Sequence, residues 1–158
     1  MLPLTGCSTL NFASAGPGNF GGSPQQVADL PDVGSYTADA ALIEARNHFR
    51  NSDFGYSAAL YKRVAELSSK NAEAYVGLAA SYDRLGRFDL ADRVYASLYA
   101  LSGGTAQYYN NVGYSNLLRG NLAAALTNFR KAKKLAPNSI VIANNLQILA
   151  NAAAAARA

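Results

Sequence analysis

The chain has 158 residues, a formal net charge of +4, a hydrophobic fraction of 50%, and one residue each of cysteine and histidine. This length accommodates one domain of about 100 to 120 residues together with a tail. No uninterrupted apolar stretch reaches the roughly 20 residues that a membrane-spanning helix needs. A Cys/His metal cluster is excluded by the same composition, so we expect no metal and no bound cofactor.

The first motif along the chain is Leu4-Thr5-Gly6-Cys7, in which an apolar residue and two small residues precede the only cysteine. It resembles the lipobox of bacterial lipoproteins, whose cysteine carries diacylglycerol after the leader is cleaved. The resemblance implies that residues 1–7 are the remainder of a truncated leader and that Cys7 is lipidated. Because serine and not aspartate follows the cysteine, it further implies anchoring at the periplasmic face of the outer membrane. The alternative is a free thiol at a mobile end.

Residues 8–37 have a different composition from the rest of the chain. Pro17, Pro24 and Pro31 alternate with glycines and serines, and neither a helical nor a strand period is present. Such a segment buries too little apolar surface to offset its conformational entropy, so we expect a flexible tether reaching on the order of 30 Å. Phe12 and Phe20 are either docking residues for a partner or idle apolar residues of the linker.

From about Ala38 the sequence repeats itself every 34 residues. The recurring pairs are Tyr75 and Tyr109, Ala79 and Gly113, Gly86 and Gly120, Ala91 and Ala125, Tyr95 and Phe129, and Leu101 and Leu135. This period is typical of tetratricopeptide hairpins. It predicts an all-α fold for residues 38–158, an α-solenoid of about three helical hairpins at 38–71, 72–105 and 106–139, and a capping helix at 140–156.

Small residues mark the crossing point of each hairpin, where two helices approach closely. These pairs are Ala45 and Ser57, Ala79 and Ala91, and Gly113 and Ala125. Gly86 and Gly120 suit the left-handed backbone that ends a helix, whereas Ser52 occupies that place in the first hairpin and is expected to turn less cleanly.

The first helix of each hairpin lines the concave face of such a solenoid, so its unpacked positions predict a partner-binding groove. The predicted groove residues are Leu42, Arg46, Phe49, Val76, Ala80, Asp83, Asn110, Tyr114, Leu117, Asn144 and Ile148, with Asn111 and Asn145 beside them. This mixed surface suits an amphipathic helix or an extended peptide. The alternative is that several of its apolar residues pack against a neighbouring helix or the tether.

Two functions are open for the paired asparagines, which also recur at 34 residues. Asn111 and Asn145 match the asparagine of tetratricopeptide repeats that grips a peptide backbone, but a buried amide can also satisfy a helix carbonyl. Arg46 stands nearly alone as a basic groove residue. Recognition of an acidic C-terminal peptide is therefore not expected.

A basic cluster in the third hairpin has two interpretations. It comprises Arg119, Arg130, Lys131, Lys133 and Lys134. Nucleic acid is one possible ligand, but lysines in the last turns of a helix also favour its dipole and remain solvated. We favour the second interpretation, and expect neither a nucleic acid nor a small-molecule substrate.

Catalysis finds little support in the sequence. The only histidine, His48, falls at a packing position, and carboxylates such as Glu66 and Asp89 have no evident pairing. No nucleophile elbow or phosphate-binding loop is present. We therefore do not expect an enzyme.

The segment from Asn110 to Gly120, followed by Ala125-Leu126, Phe129-Arg130-Lys131-Ala132 and Ala143-Asn144-Asn145-Leu146, resembles the TadD family of tetratricopeptide lipoproteins. This family serves the tight-adherence (Tad/Flp) pilus. The resemblance implies a pilotin-like scaffold whose partner is the pilus secretin or another Tad component. The alternative is a general periplasmic scaffold lipoprotein in envelope or cell-wall assembly.

Overall fold

The computed structural model describes residues 30–157, which contain seven helices and no strand. The helices are α1 Ala38–Arg50, α2 Phe54–Leu67, α3 Ala72–Arg84, α4 Phe88–Ser102, α5 Ala106–Leu118, α6 Leu122–Leu135 and α7 Ile140–Ala155. The predicted all-α solenoid of three hairpins with a further C-terminal helix is confirmed. The predictions for Cys7 and for residues 8–29 of the tether lie outside the described residues. For residues 30–37 the prediction of a free tether is wrong, because Leu30 and Val33 pack against buried residues of the first two hairpins and the Tyr36 carbonyl accepts a hydrogen bond from Arg63.

Each hairpin begins behind a polar residue that caps its first helix. The side chains of Thr37, Asn71, Thr105 and Ser139 accept a hydrogen bond from a backbone N–H in the first turn of α1, α3, α5 and α7. These four positions are 34 residues apart, so the repeat includes the helix caps. None of the seven described helices is long and apolar enough to cross a membrane.

The turn inside each hairpin has the same geometry in all three copies. Gly86 and Gly120 have φ angles of 70° and 77°, and Ser52 has a φ angle of 62°. In each copy the residue after this position donates its N–H to a carbonyl in the last turn of the first helix, at 2.8 to 2.9 Å. The prediction of a less clean turn at Ser52 is therefore wrong, because serine adopts the left-handed backbone here despite its Cβ.

The small residues lie where the two helices of each hairpin cross. Ala45, Ser57, Ala79, Ala91, Gly113 and Ala125 are all buried. At Gly113 an added Cβ would lie 2.6 Å from the ring of Phe129, so only glycine permits this approach. The helices pack closely because these positions carry little side-chain volume.

The helices form two layers. The first helices α1, α3, α5 and α7 contact one another in sequence along one face, and α2, α4 and α6 lie outside them. This arrangement makes the face of the first helices concave, as in other solenoids.

The apolar core is divided into two clusters. The first spans hairpins one and two and includes Leu60, Val64 and Leu98, whereas the second joins the third hairpin to α7 through Phe129 and Leu149. Packing between α4 and α5 is much sparser than packing between α2 and α3. The boundary between hairpins two and three is therefore the most sparsely packed joint of the described domain, although Tyr108 and Val112 of α5 reach the first cluster.

Candidate functional site

A cleft opens on the concave face at the boundary between hairpins two and three. Its volume is about 180 Å³, and it is called the junction cleft below. Its lining residues are Ala80, Asp83, Arg84, Tyr95, Asn110, Asn111, Tyr114, Leu118 and Asn145. A second cleft of about 360 Å³ between α5 and α7 shares Asn110 and Asn111 with it. Because the two clefts share these residues, they are called together the groove across α3, α5 and α7.

Three asparagine side chains line this groove and bond to each other. Asn145 Nδ2 donates to Asn110 Oδ1 at 2.9 Å, and Asn110 Nδ2 donates to Asn111 Oδ1 at 3.5 Å. Within residues 30–157, neither Asn111 Nδ2 nor Asn145 Oδ1 has a further partner. The groove thus presents one donor and one acceptor, the complement of a peptide unit.

The repeat explains why the Asn111 side chain reaches the cleft. Gly77 is the equivalent of Asn111 in the second hairpin, and there the ring of Tyr61 from the preceding hairpin fills the space that a side chain would need. At the next joint Tyr95, the equivalent of Tyr61, donates instead to Asp83 Oδ2 at 2.8 Å and lies 3.4 Å from the Asn111 carbonyl. The different position of this tyrosine leaves room for the asparagine and for the cleft.

A buried carboxylate, Asp83, lies at the junction cleft. Its side chain is 3% exposed. Oδ2 accepts from the Tyr95 hydroxyl, and Oδ1 accepts from Ser115 Oγ at 2.6 Å. Asp83 thereby connects α3 to α4 and α5, beside the contacts that Tyr108 and Val112 of α5 make with the first apolar cluster.

Arg119 completes this polar network. It makes a two-point ion pair with Asp92 at 2.9 and 2.5 Å and donates to Ser115 Oγ at 2.8 Å. Its guanidinium also lies over the ring of Phe88, 4.8 Å from the centroid. Such a charge-assisted network joins α4 and α5 by directional contacts.

The network changes the acidity of its members. Burial raises the pKa of Asp83 to about 6, although the hydrogen bonds from Ser115 and Tyr95 and the charge of Arg119 act in the opposite direction. Burial and the adjacent Asp83 carboxylate also raise the pKa of Tyr95. The tyrosine therefore remains a hydrogen-bond donor at any physiological pH.

The predicted groove residues divide into those that line the junction cleft and those that do not. Lining it are Ala80, Asp83, Asn110, Asn111, Tyr114 and Asn145. Outside it, Leu42 and Val76 pack partly against the first apolar cluster, Phe49 packs edge-on against Phe54, and Asn144 and Ile148 are exposed on α7.

The prediction for Leu117 needs correction, whereas Arg46 is paired at the surface. Leu117 is 1% exposed and packs with Phe129 and Leu149 in the second apolar cluster, so the prediction that it faces the groove is wrong. The Leu117 side chain points into the core because α6 and α7 both pack against that side of α5. Arg46 makes a two-point ion pair with Glu73 of α3 at 2.6 and 2.7 Å.

The sequence analysis missed the remaining cleft residues, Arg84, Tyr95 and Leu118, and the pairing of Asp83. One signal was available for Asp83. Its equivalents in the other hairpins are Phe49 and Leu117, so a carboxylate occupies a repeat position that is apolar in the other two hairpins. A charge at a packing position predicts a partner nearby, but the frame does not say which residue supplies it.

The remaining candidate residues contact neighbouring side chains of the fold. His48 is half-buried, stacks on Tyr56, and its Nδ1 lies 2.8 Å from Asp53 Oδ2. In the basic cluster, Lys131 lies over the ring of Tyr109, and Arg119 is held by Asp92 and is not a solvated cation. Among residues 30–157, no group of three metal-ligating side chains comes together.

Comparison with known proteins identifies the fold. No family model matches the chain. The first TPR domain of human RPAP3 superposes with a TM-score of 0.65 at 19% identity, covering 75% of this chain and 93% of that one. The first TPR of Spaghetti (RPAP3) bound to HSP90 peptide SRMEEVD gives a TM-score of 0.61 at 20% identity, covering 75% and 96%.

A bacterial protein gives a similar result. The Yersinia enterocolitica type III secretion chaperone SycD, in complex with a peptide of the translocator YopD, superposes with a TM-score of 0.62 at 18% identity, covering 79% of this chain and 95% of SycD. At these identities the likeness extends to the fold alone. The chain therefore has the tetratricopeptide-like fold of stacked helical hairpins.

Proposed function

We propose that this domain is a scaffold that binds a segment of a partner protein in the groove across α3, α5 and α7. The observation that carries the proposal is the exposed donor and acceptor of Asn111 and Asn145 on the concave face. A peptide in such a groove gains main-chain hydrogen bonds from the amides and apolar contacts from the walls. Two of the structural neighbours contain bound peptides, which supports the same use of the fold here.

Site-specific photocrosslinking in intact cells tests this proposal. A photoreactive amino acid at Tyr114, on the wall of the junction cleft, should capture a partner protein. The matched control is Tyr99, which is 49% exposed and lies on α4 outside the cleft lining. Capture at both positions alike, or at Tyr99 alone, would place the interface elsewhere.

A charge-introducing variant provides a second test. Tyr114→Glu should abolish co-purification of the crosslinked partner and leave helicity unchanged, because the Tyr114 side chain is only partly buried at the cleft wall. Tyr99→Glu should leave co-purification unaffected. Leu117 is unsuitable for this purpose, since a charge at a core position would unfold the third hairpin.

The finer proposal concerns location. We propose that Cys7 carries the lipid of a lipoprotein and holds the domain at the periplasmic face of the outer membrane. The Leu4-Thr5-Gly6-Cys7 motif and the following Ser8 support this. Two or three acyl chains would anchor the protein durably, since each buried methylene contributes about 0.8 kcal/mol. Mass spectrometry of the protein from its native membrane should show an acylated Cys7 at the new N-terminus, and an unmodified soluble chain would contradict the proposal.

We further propose that the bound segment belongs to the secretin, or another component, of a Tad/Flp pilus (type IVc) machine, in which this protein acts as a pilotin-like assembly factor. The resemblance of residues 110–146 to the TadD lipoproteins supports this. The competing proposal is a general scaffold of envelope or cell-wall assembly. The identity of the crosslinked protein separates the two, because only the first predicts a secretin or another pilus component.

A further inference from the structure

Two carboxylates and one guanidinium meet at the boundary between hairpins two and three. Arg119 pairs with Asp92 at two points, and its Nη2 lies 4.0 Å from Asp83 Oδ1. The Asp92 pair neutralises Arg119, so the charge of Asp83 has no full counter-charge of its own. When ionised, the cluster carries one net negative charge, and Asp83 is the most deeply buried of its three groups.

Asp83 also keeps unused acceptor capacity. Oδ1 accepts from Ser115 and Oδ2 accepts from Tyr95. Each carboxylate oxygen can accept about two hydrogen bonds, so each retains a free lone pair among its described contacts. Since Asp83 lines the junction cleft, a donor that enters from the cleft has an acceptor at hand.

The fold itself does not require this carboxylate. The equivalent positions are Phe49 in the first hairpin and the fully buried Leu117 in the third. A buried charge without a full partner destabilises a domain, and the raised pKa of Asp83 reflects that cost. A carboxylate at a position where phenylalanine or leucine also packs is not needed for packing. It joins the helices through Tyr95 and Ser115 and leaves acceptor capacity towards the cleft.

The other lining residues suit a cation. Asn145 Oδ1 is a further acceptor, and the Tyr114 ring offers a surface for cation–π contact. Arg84 is the second charged residue of the lining, but its guanidinium lies 4.6 Å from the centroid of the Phe54 ring. Arg84 keeps its charge, but it is exposed, so solvent and salt screen it from the buried Asp83.

We infer that the junction cleft binds a basic side chain, lysine or arginine, of the partner segment, with the Asp83 carboxylate as its counter-charge. The volume of about 180 Å³ equals that of roughly six water molecules and accommodates one long side chain. This inference rests on the proposed function and defines the chemistry of one anchor residue in the bound segment.

A positional-scanning peptide library tests the inference. The probes are acetylated and amidated nonapeptide mixtures in which one position is fixed as each amino acid in turn, and binding to the purified domain is measured by fluorescence anisotropy. Wild type should prefer lysine or arginine at one position. Asp83→Asn should lose this preference, with affinity for the selected basic mixture falling roughly 10- to 30-fold.

Asp89→Asn is the matched control. It removes the same charge from the same pair of helices, but Asp89 is exposed and pairs with Arg87 at 3.6 Å outside the cleft. It should keep the preference for a basic residue. Equal losses in both variants would indicate general electrostatic attraction and would overturn the inference.

The remaining outcomes separate the inference from the proposed function. Tight binding with an apolar or acidic anchor would overturn the basic-anchor inference and leave the peptide-binding scaffold standing. Failure of every mixture to bind would overturn both. Should Asp83→Asn not fold, ¹³C NMR of the wild-type Asp83 carboxyl decides the matter: the selected lysine peptide should lower its pKa, whereas the same peptide with norleucine should not. An unchanged pKa with the lysine peptide would overturn the inference.

Discussion

The two joints between consecutive hairpins are built from equivalent positions but differ in chemistry. At the first joint the ring of Tyr61 lies on Gly77, the hydroxyls of Ser57 and Ser81 lie 3.0 Å apart, and one apolar cluster continues across both hairpins. At the second joint the Tyr95 hydroxyl bonds to the Asp83 carboxylate, and only partly buried side chains of α5, Tyr108 and Val112, reach the first apolar cluster.

This difference shows how a repeat acquires a site without losing its fold. A solenoid needs only enough contact between neighbouring repeats to remain stacked. The first joint supplies that contact by close packing, whereas the second supplies it by a few charge-assisted hydrogen bonds and leaves a cleft open. Function is expected at the joint where the packing is weaker and more polar.

Exchanging residues between the joints should give the largest change in the free energy of unfolding. Gly77→Asn places at the first joint the residue that the second joint carries, and its side chain would overlap the Tyr61 ring. We expect a loss of about 3 kcal/mol in the free energy of unfolding, because an overpacked core must shift both helices. Urea unfolding followed by circular dichroism measures this. The reverse change, Asn111→Gly, should cost less than about 1 kcal/mol, and equal losses would contradict the difference between the joints.

The buried carboxylate should make stability depend on pH in an unusual direction. Because the folded pKa of Asp83, about 6, is above its ordinary 3.8, ionisation of this group opposes folding. Its cost is absent below about pH 4 and complete above about pH 7. At pH 7 this cost is about 3 kcal/mol, but the amide of Asp83→Asn has only one acceptor oxygen for the Tyr95 and Ser115 hydroxyls, which offsets about 1 kcal/mol. Asp83→Asn should therefore be more stable than wild type by about 2 kcal/mol at pH 7, and this difference should shrink as the pH falls to 4.

Urea unfolding of both proteins at intervals between pH 4 and pH 7 checks this prediction. Other carboxylates titrate in the same window, and that of Glu73 has a lowered pKa through its bond to Arg46. They are common to both proteins, so they cancel in the difference. A difference that grows on acidification would contradict the raised pKa.

The ion pairs of Arg119 and Arg46 provide a smaller test of the difference between the two joints. The Arg119 side chain at the second joint is 20% exposed, whereas the Arg46 side chain at the first is 46% exposed. Arg119→Met should cost about 1 to 2 kcal/mol, because it removes the ion pair with Asp92 and the positive charge 4.0 Å from Asp83. Arg46→Met should cost clearly less, because its ion pair with Glu73 is exposed to solvent. Hydrogen exchange of Arg119→Met should show reduced protection mainly in α5 to α7. Reduced protection spread evenly over all helices would contradict a separate second joint.

The fold was predictable from the sequence because the 34-residue period includes caps, crossing residues and turns at once. The repeat also predicted part of the cleft, since Asn110, Tyr114 and Asn145 lie at positions of the first helices that the repeat assigns to the concave face. It failed for Leu117 and for the contacts of Asp83. The position of a residue within the 34-residue repeat gives the direction of its side chain. Whether that side chain meets solvent, another helix or a hydroxyl group depends on neighbouring helices, and for Asp83 these supply Ser115 and Tyr95.

The smallest expected effect concerns the turns, in which the first hairpin differs from the other two. Ser52 adopts a φ of 62°, close to the 70° of Gly86, although its Cβ makes this conformation unfavourable. Ser52→Gly should therefore stabilise the domain by about 0.5 kcal/mol, since part of the relieved strain is offset by the greater freedom of glycine in the unfolded chain. The reverse change, Gly86→Ser, should destabilise it by a similar amount, as measured by thermal unfolding. If Ser52→Gly instead lowers the midpoint, the serine side chain stabilises the turn and the three turns are not equivalent.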